Sequence, residues 1–123
     1  MAIPDALANA GTSLRATHVI LQALDAPDFT ATELETVERV KESSDRVVET
    51  LITLEAGTAQ PLVSGKILPT KGIMNGTESA IQGDLNALDD IQEADMPDQF
   101  DDFELLRERI KELKIFVAAA ARR

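Results

Sequence analysis

His18 is the single histidine of the sequence and has the widest choice of chemistry, because imidazole can transfer protons or bind metal near neutral pH. A di-iron site in a helical bundle needs a Glu-x-x-His pair on each of two helices, which one histidine cannot supply. A serine nucleophile needs an exposed turn with an oxyanion hole nearby, whereas Ser43 and Ser44 fall inside a predicted helix. We therefore predict a non-enzymatic protein with no catalytic, cofactor-binding or metal-binding residue, in which His18 is structural.

Phosphoryl transfer by His18 is an alternative, since histidine phosphotransfer domains are also helical bundles. In those domains a lysine stands three residues after the histidine and is followed by a glycine. The corresponding positions here hold Leu21 and Gln22, so the cation that would steady a phosphoryl group is missing. A degenerate phosphotransfer-like module is therefore the third of the functions considered.

Seven carboxylates and no basic residue occupy residues 89–102, a composition that suggests calcium, because hard cations prefer clustered carboxylates. An EF-hand loop, however, places oxygen ligands at alternating positions and a glycine at its turn. Counting from Asp90, the third and fifth positions are Gln92 and Ala94, and no glycine follows at the turn. The segment is predicted to be a solvated acidic connection.

Composition narrows the partners that the chain can take. Twenty-two acidic and twelve basic residues give a formal net charge of −10, and the aromatic residues are four Phe. Nucleic-acid phosphates would be repelled, and few side chains could stack on bases. The chain lacks cysteine, a visible secretory signal and an apolar run near the roughly 18 residues of a membrane span. We expect protein partners, not nucleic acid, membrane or a small-molecule substrate, in the cytoplasm or in an assembled virion.

Three stretches repeat apolar or small residues at alternating three- and four-residue steps, a spacing that holds one stripe of an α-helix against partner helices. The three seams are Leu7, Ala10, Leu14, Thr17, Leu21 and Leu24; Val37, Val40, Ser44, Val47, Leu51 and Leu54; and Phe103, Leu106, Ile110, Leu113, Val117 and Ala120. This periodicity predicts an all-α fold with the seams in its core. Ser44 is interpreted as a small polar notch that fixes the register.

Local signals place the ends of the first two helices. Pro4 suits a first helical turn and Pro27 forbids continuation, so the first helix is predicted over about 4–25. The Thr-Ala-Thr-Glu run at 30–33 has the pattern of a capping box, and Gly57 is expected to end the second helix. The short connection makes these helices an antiparallel hairpin.

Residues 58–76 change character and form a predicted arm. Two short apolar runs, Leu62-Val63 and Ile67-Leu68, flank a Ser-Gly pair, which fits either a crossover loop or a short β-hairpin. A third helix is predicted over about 77–92 and a fourth over about 102–120. Gly83, inside the third helix, either weakens it or permits close approach of another backbone.

The sequence therefore predicts one domain over residues 1–123, a four-helix bundle made of the antiparallel hairpin and two further helices, with the arm between helices two and three. The expected function is a homo-oligomeric interaction or assembly subunit, with a larger particle such as a virion as one setting. The alternative is an acidic decoy or inhibitor that binds a basic partner surface as a nucleic-acid mimic. The predicted partner contacts are Leu62, Val63, Ile67, Leu68, Ile73, Met74 and Phe100; the last three could instead cap the bundle core.

Overall fold

The computed structural model describes residues 3–24, 29–59 and 71–121, and these residues form four α-helices and one short 3₁₀-helix. The α-helices are α1 (Asp5–Gln22), α2 (Ala31–Thr53), α3 (Lys71–Leu88) and α4 (Phe100–Ala121), and the 3₁₀-helix is Glu93–Asp95. No β-strand occurs within these ranges. The prediction of an all-α fold with four helices is confirmed for the described chain. Within the same ranges, no helix is both long and apolar enough to cross a membrane.

The helices pack in the cyclic order α1, α2, α4, α3, in a bundle-like arrangement. Gln22, in the last turn of α1, donates a hydrogen bond to the carbonyl of Lys41 in α2, whereas Arg15 donates to Ala56 beyond the end of α2. The two helices are therefore antiparallel, as the sequence predicted. Arg107 and Lys114 of α4 reach Asp89 and Gln82 in reverse order, which makes α3 and α4 antiparallel as well.

The three predicted seams all face the core. Every member is buried except Ala120, which is half-buried and packs against the core. The two polar members, Thr17 and Ser44, are also buried. The prediction of the core residues from the 3.5-residue spacing is confirmed, because each of these helices turns a single stripe toward the core.

The boundary of α2 confirms one prediction and corrects another. Thr30 and Glu33 form the predicted capping box: the Glu33 N–H donates to Thr30 Oγ1 at 3.3 Å, and the Thr30 N–H donates to Glu33 Oε1 at 2.9 Å. At the other end, α2 stops at Thr53, and the first left-handed residue is Glu55 (φ 54°), not Gly57. Backbone hydrogen bonds from Ala56 to Leu51 and from Glu55 to Ile52 form a Schellman-type ending.

α3 begins at Lys71, six residues earlier than predicted, so residues 71–76 are helical and the prediction of an arm reaching Gly76 is wrong. Met74 is buried and extends the inward stripe of Thr77 and Ile81 by one turn. Its burial, worth about 1.5–3 kcal/mol, outweighs the roughly 1 kcal/mol that Gly76 costs a helix relative to alanine.

The rest of the predicted arm is not supported as either a loop or a β-hairpin. Leu62, Val63, Ile67 and Leu68 lie outside the described residues. Gly83 is exposed in α3, and a Cβ there would meet no atom of the described residues within 4 Å, so no described backbone makes the close approach that the sequence allowed. The third and fourth helices also shift by a few residues from prediction, ending at Leu88 and beginning at Phe100.

Candidate interaction surface

His18 takes part in a polar cluster between α1 and α2. Its Nδ1 lies 2.8 Å from Ser44 Oγ, and its Nε2 lies 4.0 Å from Asp45 Oδ1. The Gln22 amide donates to Asp45 Oδ1 and to the carbonyl of Lys41, each at 3.1 Å. Burial lowers the pKa of His18, and the nearby Asp45 carboxylate opposes that shift. The cluster joins the two helices of the hairpin.

The same three residue types would make a catalytic triad, but their arrangement does not suit catalysis. In a triad the carboxylate bonds Nδ1 and the serine faces Nε2, whereas here these partners are exchanged. Ser44 is only 1% exposed. Because it lies inside α2, the neighbouring backbone N–H groups donate to carbonyls of the helix and cannot form an oxyanion hole. The Asp45 carboxylate beside Nε2 would also repel a phosphoryl group on His18. The geometry therefore supports a structural role for His18.

A second buried polar pair joins α1 to α3. Ser13 Oγ donates to Asp84 Oδ2 at 3.0 Å, and Asp84 is 9% exposed. Burial raises the pKa of Asp84 to about 6, and the hydrogen bond from Ser13 partly offsets the shift. The pair fixes the register of α1 against α3.

The acidic connection between α3 and α4 uses carboxylates for folding contacts. Asp89 Oδ1 accepts from Arg107 at 2.7 Å, and Asp95 Oδ2 accepts from the Gln92 N–H at 2.8 Å. No group of three or more His, Asp and Glu side chains that could hold a metal ion occurs among the residues that the structure describes.

The three predicted contact residues that the structure describes do not form an exposed apolar surface. Met74 belongs to the core, while Ile73 and Phe100 are half-buried. The Phe100 ring centroid lies 5.8 Å from that of Phe103, which is fully buried. The alternative interpretation, that these residues cap the core, fits Met74 and Phe100.

Among the described residues, three other large apolar side chains are exposed: Ile52 at 60%, Leu105 at 43% and Ile115 at 67%. Ile115 lines a groove of about 610 Å³ beside Leu105 and Arg46, and a second of about 310 Å³ between α3 and α4. These three residues were not predicted as partner contacts, because the helical periodicity identifies the inward-facing positions and they lie outside those stripes. An apolar residue among charged neighbours at an outward helical position was the available signal.

The outward faces of α2 and α4 carry two rows of exposed carboxylates. The rows are Glu35, Glu38, Glu42, Asp45 and Glu49 on α2, and Asp101, Glu104, Glu108 and Glu112 on α4. Steps of three or four residues space neighbours by about 5 Å along each helix axis. Arg39 pairs with Glu35 at 3.0 Å and Arg46 with Glu112 at 2.9 Å, so arginines neutralise part of this surface.

No family model, curated protein sequence or solved structure matches this chain.

Proposed function

We propose that the chain is a non-enzymatic interaction or assembly subunit that associates with copies of itself. The observation that carries the proposal is the exposure of Ile115 at the outward side of α4, where grooves lie on both sides of it. The inward stripe of α4 already packs against α2 and α3, so Ile115 adds nothing to the core. An apolar side chain between grooves is available to a partner.

The polar side chains that join the helices agree with this proposal. The His18 cluster and the Asp84–Ser13 pair are each occupied in joining helices, and neither opens into one of the grooves beside Ile115. These groups therefore hold the helices together, and the outer surface is available to contact partners.

The direct test is the mass of the chain in solution over a wide concentration range, by light scattering or sedimentation. We expect a mass that rises above the 13.3 kDa of one chain as the concentration increases. A constant monomer mass up to the solubility limit would contradict self-association.

We propose further that the apolar residues Leu62, Val63, Ile67 and Leu68 add to the contact, although they lie outside the described residues. Polar replacement of Val63 and Ile67 together would then lower the oligomer mass and leave the helical circular dichroism signal unchanged. Unfolding of the bundle by the same replacements would instead assign these residues to the core. A larger particle, such as a virion, is one assembly in which a subunit of this kind would serve.

A second candidate function is an acidic decoy for a basic partner surface, and the carboxylate rows on α2 and α4 favour it. Their two adjacent helices present nine exposed acidic residues at regular steps. Salt-sensitive binding to poly-lysine, competed by duplex DNA, would support this function. Neutralising Glu38, Glu42 and Glu49 to Gln should weaken binding, whereas neutralising Asp89, Asp90 and Asp95 to Asn should not.

A further inference from the structure

We propose that one copy of the chain docks Ile52, with its acidic neighbours, onto Ile115 and the adjacent lysines of a second copy. The inference rests on the proposed self-association and names the two surfaces that meet. Ile52 and Ile115 are the two most exposed large apolar side chains of the described residues. Their surroundings have opposite charge.

The Ile115 surface combines an apolar centre with two cations. Ile115 lines the groove of about 310 Å³ between α3 and α4 together with Leu85, Lys111 and Lys114. Lys111 is exposed, and no described carboxylate pairs with it. The Lys114 ammonium donates a hydrogen bond to the Gln82 side chain. Because Gln82 is neutral, this contact does not neutralise the charge of Lys114.

Two carboxylates of α3 lie near the same surface and reduce its charge. Asp89 lines the groove, but Arg107 already binds it at 2.7 Å. Glu78 lines an adjoining groove of about 230 Å³ beside Lys114, Ile115 and Ala118.

On α4, Glu112 is paired with Arg46, whereas Glu108 lines the groove of about 610 Å³ beside Arg109, Lys111 and Ile115. The surface near Ile115 thus has three cations without a described carboxylate partner, Arg109, Lys111 and Lys114, and two carboxylates that no described cation binds, Glu78 and Glu108.

The Ile52 surface has the complementary composition. Glu49 precedes Ile52 by one helical turn, and Glu55 follows it directly after the end of α2. Both carboxylates are exposed, and no described cation pairs with either of them. An exposed isoleucine flanked by two carboxylates that no described cation binds therefore matches an exposed isoleucine flanked by two lysines.

The two surfaces cannot meet within one chain. Thr50 of α2 contacts Arg109 of α4 at 2.7 Å, and the helices are antiparallel. Ile52 lies two residues beyond this contact in one direction and Ile115 six residues beyond it in the other, about 12 Å apart along the bundle. Ile52 also follows Asp45 by two turns and shares the side of α2 that meets α1, whereas the Ile115 groove opens beside α3.

A contact between two different surfaces of identical chains is heterologous, and it continues until a ring closes or a filament grows. This geometry suits an assembly subunit. The contact is small, and the net charge of −10 on each copy opposes it at long range. At about 0.15 M salt the Debye length of roughly 8 Å screens that long-range repulsion and leaves charges in direct contact less affected.

The test uses two variants of the whole chain, Ile52→Lys and Ile115→Glu. The matched control is Ala87→Glu, at an exposed position of α3 that lines none of the grooves beside Ile115. Each variant places at one docking surface a charge that repels the charges of the surface it would meet. The other docking surface of the same chain stays intact. Both isoleucines are exposed, so helical circular dichroism and Tm should match the wild type. We expect sedimentation to show each variant alone as a monomer, whereas the Ala87→Glu chain associates like the wild type.

The decisive measurement is a mixture of the two variants in equal amounts. The Ile52→Lys chain keeps the Ile115 surface and the Ile115→Glu chain keeps the Ile52 surface, so the mixture restores one native contact between two different chains. The two substituted surfaces have opposite charges and do not repel each other, so we expect species with at least twice the 13.3 kDa mass of one chain. A mixture that stays monomeric, or a variant that associates like the wild type, overturns the inference while self-association itself stands. A monomeric wild-type chain overturns both.

Discussion

The backbone of Gly57 packs directly against the backbone of Gly11. A Cβ at position 57 would lie 2.4 Å from the carbonyl carbon of Gly11, and a Cβ at position 11 would lie 2.9 Å from the backbone of Ala56. Arg15 secures the same contact, because its Nε donates to the carbonyl of Ala56 at 3.1 Å. The end of α2 is thus fixed on α1 by a contact that only two glycines permit.

We predict that Gly11→Ala lowers the free energy of unfolding by about 1–3 kcal/mol, the usual cost of forcing extra volume into packed structure. This loss should exceed the roughly 1 kcal/mol by which alanine favours a helix over glycine. Urea denaturation of the variant measures the difference.

Gly83→Ala is the matched control for Gly11→Ala. It also replaces a helical glycine, but its Cβ would meet nothing within 4 Å. We expect it to stabilise the protein by about 0.5–1 kcal/mol. Equal effects of the two substitutions would show that the contact with Gly57 carries no energetic weight.

The left-handed conformation of Glu55 predicts a stabilising substitution. With φ at 54°, the Cβ of Glu55 is crowded in a way that glycine avoids. Glu55→Gly should raise the free energy of unfolding by about 1 kcal/mol, seen as a higher urea midpoint. Glu55→Ala keeps the Cβ and removes the same charge, so a gain of equal size there would attribute the effect to electrostatics.

The helical stripes could be predicted from the sequence because burial imposes a strict spacing along each helix, as in Leu14, Val47 and Ile110. The start of α3 could not. Asn75 and Gly76 resemble a break locally, and only the tertiary burial of Met74 shows that the helix continues through them. Local turn signals are weak when a buried side chain on the far side of the turn compensates.

The partners of the polar side chains, and the grooves beside the exposed isoleucines, could not be predicted from the sequence for a different reason. Which helix faces His18 or Asp84 depends on the cyclic packing order, and no residue spacing reports that order. Ser44 was assigned to a seam correctly, but its hydrogen bond to His18 required the position of α1. The groove beside Ile115 is formed by α3 and α4 together, so it cannot be found from the sequence around Ile115 alone.

Adjacent residues at the end of α2 separate core from surface. Leu51 is fully buried, whereas Ile52 is 60% exposed. Leu51→Ala should cost about 2–5 kcal/mol of unfolding free energy, the range for a buried leucine truncation. Ile52→Ala should cost less than about 0.5 kcal/mol in the monomer, as expected for a surface position. Thermal unfolding at low concentration compares the two, and similar losses would contradict the assignment of faces.

Asp84 predicts a specific dependence of stability on pH. Its folded-state pKa, raised by burial from 3.8 to about 6, means that the folded chain holds this proton more tightly than the unfolded chain. The stability that this proton contributes is complete below about pH 3.8 and is lost as the pH rises through about 6. Asp84→Asn, which cannot ionise, should therefore be more stable than the wild type at pH 7.5 by about 1–2 kcal/mol, and this advantage should vanish near pH 4.

The comparison of Asp84→Asn with the wild type must be made at each pH, because the other carboxylates of the chain titrate in both proteins and cancel in the difference. Asp90→Asn is the control, because it removes a carboxylate at an exposed position near the end of α3 and leaves the buried site of Asp84 unchanged. Ser13→Ala removes the hydrogen bond that lowers the pKa of Asp84, so it should raise that pKa further and destabilise the protein more at pH 7.5 than at pH 4. If the advantage of Asp84→Asn is the same at pH 4 and pH 7.5, the buried carboxylate does not titrate in this range.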